Sequence, residues 1–215
     1  MKKVIAFDFD GTIIDSFPLI NTAFEKTFHQ YGKNLTIDQF DFLWGPNEKG
    51  SLKRVFFDDY EKPYKSFLEF YDNLHNEFLP PIDIRLMNIL NKLKEEPSIH
   101  LVLLTGRGEE TTSITFDKFK LHGLFEKCYF GSEIKSNKED NFLQIQKDYN
   151  VSNEDILYIG DSLADIRHCF NQGIDIISVN YYSTEDKSKL EEKNSGNVIC
   201  DVSYLEEKIY NYIYE

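Results

Sequence analysis

The sequence is poor in positive charge, with 24 Lys and Arg against 37 Asp and Glu and a net charge of −13. That balance disfavours a nucleic-acid backbone or an anionic membrane surface as the main partner, though not a small anion in a locally positive pocket. Cysteine is scarce. Cys128, Cys169 and Cys200 are odd in number, far apart and in no CxxC or Cys/His cluster. This excludes a disulfide frame and a zinc site, and it matches free thiols in a reducing compartment. No apolar run is long enough to span a membrane. The opening "MKK" is compatible with a leader, but the apolar run behind it is short and is broken by Asp8 and Asp10. A cytoplasmic protein is therefore expected. Internal repeats and low-complexity tracts are also lacking. So is a glycine-rich turn after the first apolar run, which reads "DFDGTI", and this sets aside a dinucleotide-binding protein.

What is present is a globular composition, 41% hydrophobic and 15% aromatic, in a chain long enough for one full core plus a small accessory domain. Short apolar runs recur at 3–9, 99–105, 127–132, 155–161 and 175–180, with a sixth candidate at 197–202. Helical patterns such as "DIRLMNILNKLKEE" and "EDNFLQIQKDY" lie between them. Continuous apolar strands alternating with helices predict an α/β fold, a Rossmann-like doubly wound parallel sheet covered on both faces. One interval breaks the rhythm. About ninety residues separate the first two strands, where a crossover needs about a dozen. Residues 17–78 read as helix, including "TIDQFDFLW", before "LPP" punctuates the return. The expectation is an all-α cap domain over 16–79, inserted after strand 1 of a core formed by 1–15 and 80–215. The hinges fall near Asp15–Phe17 and Phe78–Pro81. The tail "SYLEEKIYNYIYE" is expected to be an amphipathic helix on the core.

Ligands of an open parallel sheet sit at the carboxyl ends of its strands. Those ends carry Asp8 and Asp10, then Thr105-Gly106-Arg107, then Gly160-Asp161-Ser162 with Asp165. A calcium loop counted from Asp8 fails, because the glycine position holds Ile13. Thr105 Oγ and the amide after it can bind phosphate oxygens. Asp161 and Asp165 lie one helical turn apart and can face one spot, although helix capping accounts for one of them. Four carboxylates cannot hold a phosphate without cations. Hard oxygen donors suit Mg²⁺, and a lysine after the third strand, Lys135 or Lys138, would help.

"DFDGTIIDS", "LLTGR" and "GDSLAD" together resemble the first, second and fourth motifs of the haloacid dehalogenase superfamily. More specifically, they resemble its phosphoglycolate-phosphatase-like members with a helical cap, over essentially the whole chain. The resemblance implies that Asp8 is the nucleophile and that Asp10 protonates the leaving oxygen and then activates water. It implies Mg²⁺ held by Asp8, the Asp10 carbonyl and Asp161, with Asp165 in support. Thr105 and Gly106 would bind the transferring phosphoryl group, with Gly11 and Thr12 of the first motif counted on the phosphate side. The third-motif lysine departs from the usual Lys-Pro pattern. Spacing to the fourth motif and a helix start near Glu139 favour Lys138 over Lys135. Arg107 either adds positive charge or is exposed.

Asp10 argues for phosphate-ester chemistry, since dehalogenating members lack an acid there. A phosphatase for a small phosphomonoester (phosphoglycolate, sugar phosphate or nucleotide) is the first reading. A mutase of the β-phosphoglucomutase type would need basic cap residues for a second phosphate, and Lys49, Lys53 and Arg54 are candidates, unless they simply form a solvated helix face. A catalytically idle binding scaffold would show a damaged motif, and none is seen. Substrate selection falls to the cap, with Phe17, Trp44 and Arg54 as candidates. The sequence sets no oligomeric state.

Overall fold

A computed structural model of the chain describes residues 2–35 and 46–214. Trp44 and the expected helix "TIDQFDFLW" lie outside the described residues. Six strands form one parallel sheet: β1 (Val4–Phe7), β2 (His100–Leu104), β3 (Lys127–Tyr129), β4 (Ile156–Gly160), β5 (Asp175–Val179) and β6 (Val198–Ile199). Their order is β3-β2-β1-β4-β5-β6. The doubly wound expectation holds, and the sixth candidate run is a two-residue strand.

β1 lies between β2 and β4, with Phe7 opposite Leu103 on one side and Ile159 on the other. This register sets the residues after all three strands side by side. The period of two divides the strands between two cores. Ile5, Phe7, Leu101, Leu103, Leu157 and Ile159 face one, and Val4, Ala6, Val102, Leu104, Ile156 and Tyr158 face the other. Helix α4 (Ile84–Glu95) and the tail helix α9 (Leu205–Tyr214) cover the first face. Helix α6 (Lys138–Tyr149), α7 (Leu163–Gln172) and α8 (Lys187–Lys193) cover the second.

Between β1 and β2 the insertion contributes α1 (Phe17–Gln30), α2 (Glu48–Phe56) and α3 (Glu61–Phe78). Its aromatic residues pack together, with the Phe24 and Phe67 rings 4.6 Å apart, and their core is continuous with that of the first sheet face. α3 also rests on α5 (Glu109–Phe119), the crossover helix between β2 and β3. No helix among the described residues is long and apolar enough to cross a membrane. Cys128, Cys169 and Cys200 are free thiols.

Candidate active site

The carboxyl ends of β1 and β4 bring Asp8, Asp161 and Asp165 together. All three are buried, and one carboxylate oxygen from each lies within 4.8 Å of the others. Asp8 leaves β1 with its amide still donating to the Ile159 carbonyl (2.8 Å), which fixes it beside β4. Gly11 permits the close approach of the next turn. Its φ is +72°, and a Cβ there would fall 2.1 Å from Asp161 Oδ2.

Asp165 serves two purposes. Its Oδ2 accepts from the Ser162 amide (3.1 Å) and hydroxyl (2.7 Å), completing the N-terminal cap of α7. Its Oδ1 accepts from the Lys138 ammonium. Lys138 opens α6 and donates as well to Asp8 Oδ2 (2.6 Å) and the Tyr158 hydroxyl (2.7 Å). Of the two candidate lysines, then, Lys138 meets the carboxylates, and Lys135 is exposed.

One ammonium among three buried carboxylates leaves an excess of negative charge. Burial pushes Asp8 up to about 7, with Asp165 adding to the rise and Lys138 opposing it. Burial likewise pushes Asp161 up to about 8, with Asp165 and Asp8 adding. Burial also works against charge on Asp165, but Lys138 and the Ser162 donors outweigh it and hold Asp165 low. Lys138 is raised, because Asp165 and Asp8 overcome its own burial. A buried cluster of hard oxygen donors that resists ionisation suits a small divalent cation.

Asp10 faces elsewhere. Its carboxylate meets the buried Arg107 guanidinium, with Nε 2.7 and 2.9 Å from its two oxygens and Nη2 2.6 Å from Oδ1. The Ser16 hydroxyl donates to the same Oδ1. Arg107 is only 2% exposed, which corrects the reading of an exposed side chain. It pairs with Asp10 and borders the cavity beside that carboxylate.

A cavity of about 410 Å³ opens between the strand ends and the insertion. Asp8, Asp10, Asp161, Asp165 and Lys138 line its floor with Gly106 and Arg107, while Phe17, Ile20, Phe24 and Pro46 make an apolar wall. Several sequence candidates stand off it. Thr105 is fully buried, and its Oγ1 accepts the Arg107 amide (3.2 Å), so its hydroxyl stabilises its own turn. Gly11 acts by making room for Asp161. Thr12 is turned inward by the tight loop that bridges Asp10 to Ile14, and its hydroxyl is buried without a partner. Arg54 donates to the Ile134 carbonyl (3.2 Å) of the loop after β3. Lys49 (3.0 Å) and Lys53 both pair with Glu133 of that loop.

The structure adds residues that carry no sequence motif. Tyr158 orients Lys138. Thr184 donates to Asp161 Oδ2 (2.6 Å). The Tyr181 and Tyr182 hydroxyls donate to the Thr12 (2.6 Å) and Ile13 (3.0 Å) carbonyls of the first turn. Glu48, buried at the start of α2, accepts from the Gly108 amide (2.8 Å) and the Thr111 hydroxyl (2.7 Å), joining the insertion to α5. Burial raises Glu48, with Arg107 opposing.

Known proteins resemble the chain throughout. It is 24% identical over 205 residues to the phosphorylated carbohydrates phosphatase of Thermotoga maritima, covering 88% of this chain and 90% of that one. It is 23% identical over 196 residues to phosphoglycolate phosphatase 1 of Pseudomonas aeruginosa, covering 84% and 70%. The solved structure of CbbY from Rhodobacter sphaeroides in complex with phosphate superposes with a TM-score of 0.76 at 17% identity, covering 95% of this chain and 96% of that one. The family model described as haloacid dehalogenase-like hydrolase matches residues 5–179. The chain therefore belongs to the haloacid dehalogenase-like hydrolases, in their phosphoglycolate-phosphatase-like subgroup.

Proposed function

We propose that this hydrolase is a Mg²⁺-dependent phosphatase acting on a small phosphomonoester through an aspartyl-phosphate at Asp8. The observation that carries the reading is the buried Asp8–Asp161–Asp165 cluster with its single lysine, set at the floor of a cavity beside Asp10. Asp8, Asp161 and the Asp10 carbonyl would hold the metal, with Asp165 supporting it through Lys138. When bound, Mg²⁺ offsets the carboxylates and the charge of the transferring phosphoryl group.

This chain's residues do the rest. A carboxylate oxygen of Asp8 attacks phosphorus, and the ester P–O bond breaks as Asp10 gives its proton to the leaving oxygen. Water then attacks the phosphoryl group while the Asp10 carboxylate takes its proton. The P–O bond to Asp8 breaks, releasing inorganic phosphate and restoring the Asp8 carboxylate. Lys138 keeps Asp8 oriented. The Gly106 backbone, from its place in the cavity lining, would meet phosphoryl oxygens.

Residues 16–79 act as a cap over this site, hinged at 15–17 and 78–81 and latched by Asn47. The Asn47 side chain donates to the Gly131 carbonyl (2.9 Å) and its amide to the Ser132 carbonyl (2.8 Å). The cavity size and apolar wall suit a phosphoglycolate, sugar phosphate or nucleotide. Free thiols and an acidic surface suit the cytoplasm.

The test is phosphate release from a panel of small phosphomonoesters with Mg²⁺ or EDTA, by wild type and Asp8→Asn. Mg²⁺-dependent release is expected, falling at least about a thousandfold in the variant. Release that survives the substitution, or none from wild type with Mg²⁺, overturns the reading.

A further inference from the structure

Arg107 is held by the protein through its Nε and Nη1, while its Nη2 lies at ion-pair distance from Asp10 with no hydrogen-bond partner among the described residues. One edge holds Asp10. At the other, Nη1 donates to the Tyr71 hydroxyl and to Thr115 Oγ1 (3.2 Å), and those two hydroxyls lie 2.8 Å apart. The guanidinium carbon lies over the Phe9 ring (5.0 Å) and the Tyr71 ring (5.4 Å). Tyr71 is fully buried. A planar fork held at both edges and against two rings has one orientation, and it fixes its carboxylate partner in position and plane.

The three partners come from three segments. Asp10 lies in the turn after β1, Thr115 on α5 and Tyr71 on α3 of the insertion. Ser16, at the entry to α1, also donates to Asp10. The side chain that must meet the leaving oxygen is thus tied to the insertion twice, at the entry to α1 and through Arg107.

We infer that Arg107 and Tyr71 are positioning residues, through which the packing of α3 sets where the Asp10 carboxyl stands for protonation of the leaving group. The inference rests on the assignment of Asp10 as that acid. It gives Arg107 a role beside the carboxyl, in place of direct contact with phosphate.

A purely structural role would slow all substrates alike, whereas a positioning role depends on the leaving group. An alkoxide needs a proton as it departs, and p-nitrophenolate does not. kcat/KM reports the steps through the first P–O cleavage, so the later water step does not obscure the comparison. The experiment measures kcat/KM for a series of alkyl and aryl phosphates, including p-nitrophenyl phosphate, with Mg²⁺. Wild type, Tyr71→Phe, Thr115→Val and Asp10→Asn are compared, and their thermal midpoints recorded. Tyr71→Phe keeps the buried ring and removes only the hydroxyl.

The expected result is an alkyl-to-aryl ratio that falls about tenfold in Tyr71→Phe, less in Thr115→Val and most in Asp10→Asn. An unchanged ratio in a folded Tyr71→Phe, whether both rates fall together or neither falls, overturns the inference. An unchanged ratio in Asp10→Asn overturns it together with the acid assignment. No release by wild type from any ester fails the phosphatase reading instead, which separates the two.

Discussion

Asp8 points into a space shared with two further carboxylates and a single ammonium, whereas Asp10, two positions on, pairs with a guanidinium of its own. The residues between and after them make the difference. Phe9 is buried in the core, and the chain then closes a tight loop from Asp10 to Ile14. One side of the motif is short of positive charge and suits a divalent cation. The other is neutralised within the protein. Under the proposed mechanism, two identical side chains thus take the separate tasks of accepting phosphorus and handling a proton.

The sharpest way to break this comparison is Lys138→Met. Among the described residues it removes the one cation that pairs with Asp8 and Asp165, and it leaves both carboxylates buried without a counter-charge. A loss of about 3–5 kcal/mol is expected in EDTA, measured by denaturant unfolding. Mg²⁺ should restore part of it, since a ligand of the folded state stabilises by mass action. Lys135→Met, at an exposed position, should stay within about 0.5 kcal/mol of wild type. Equal stability of both variants in EDTA would mean that the Asp8 side is not short of charge.

Gly11→Ala comes next and acts on the Asp8 side alone. The added Cβ meets Asp161 Oδ2 at 2.1 Å in a left-handed backbone, so Asp161 must move. The backbone costs about 1–2 kcal/mol. The variant should fold, but the rise in thermal midpoint on adding Mg²⁺ should shrink or vanish. A full Mg²⁺ response would show that Asp161 is not needed where it stands.

These contrasts were unevenly legible in the sequence. The six strands could be read because buried parallel strands are continuous apolar runs, and their ends led directly to Asp8, Asp161 and Asp165. Lys138 could be read from its place at the start of α6. By contrast, α5 has no clear helical stripe, because Thr111, Thr112 and Thr115 occupy its buried face and lower its helix propensity. That face, with Tyr71, makes the pocket that buries Arg107. An arginine after a strand-end glycine reads as exposed or phosphate-facing when the buried threonines and the tyrosine of a distant helix are not visible. Thr184 and Tyr158 were illegible for a similar reason. Their single hydroxyls reach Asp161 and Lys138 across 23 and 20 positions, with no periodicity to mark them.

The smallest expected effects compare one hydroxyl on each side. Thr184 donates to Asp161 Oδ2, and Ser16 donates to Asp10 Oδ1. Each substitution, Thr184→Val and Ser16→Ala, removes one hydrogen bond and should cost about 1 kcal/mol of stability. Their effects on Mg²⁺ should differ. Thr184 orients a carboxylate of the cluster, so its loss should weaken Mg²⁺ affinity about tenfold by calorimetric titration. Asp10 keeps its contacts with Arg107 when Ser16 is lost, so Ser16→Ala should leave Mg²⁺ affinity within about twofold. If both variants weakened Mg²⁺ equally, the Asp10 side chain would belong to the metal cluster, and the two sides of the motif would be a single site.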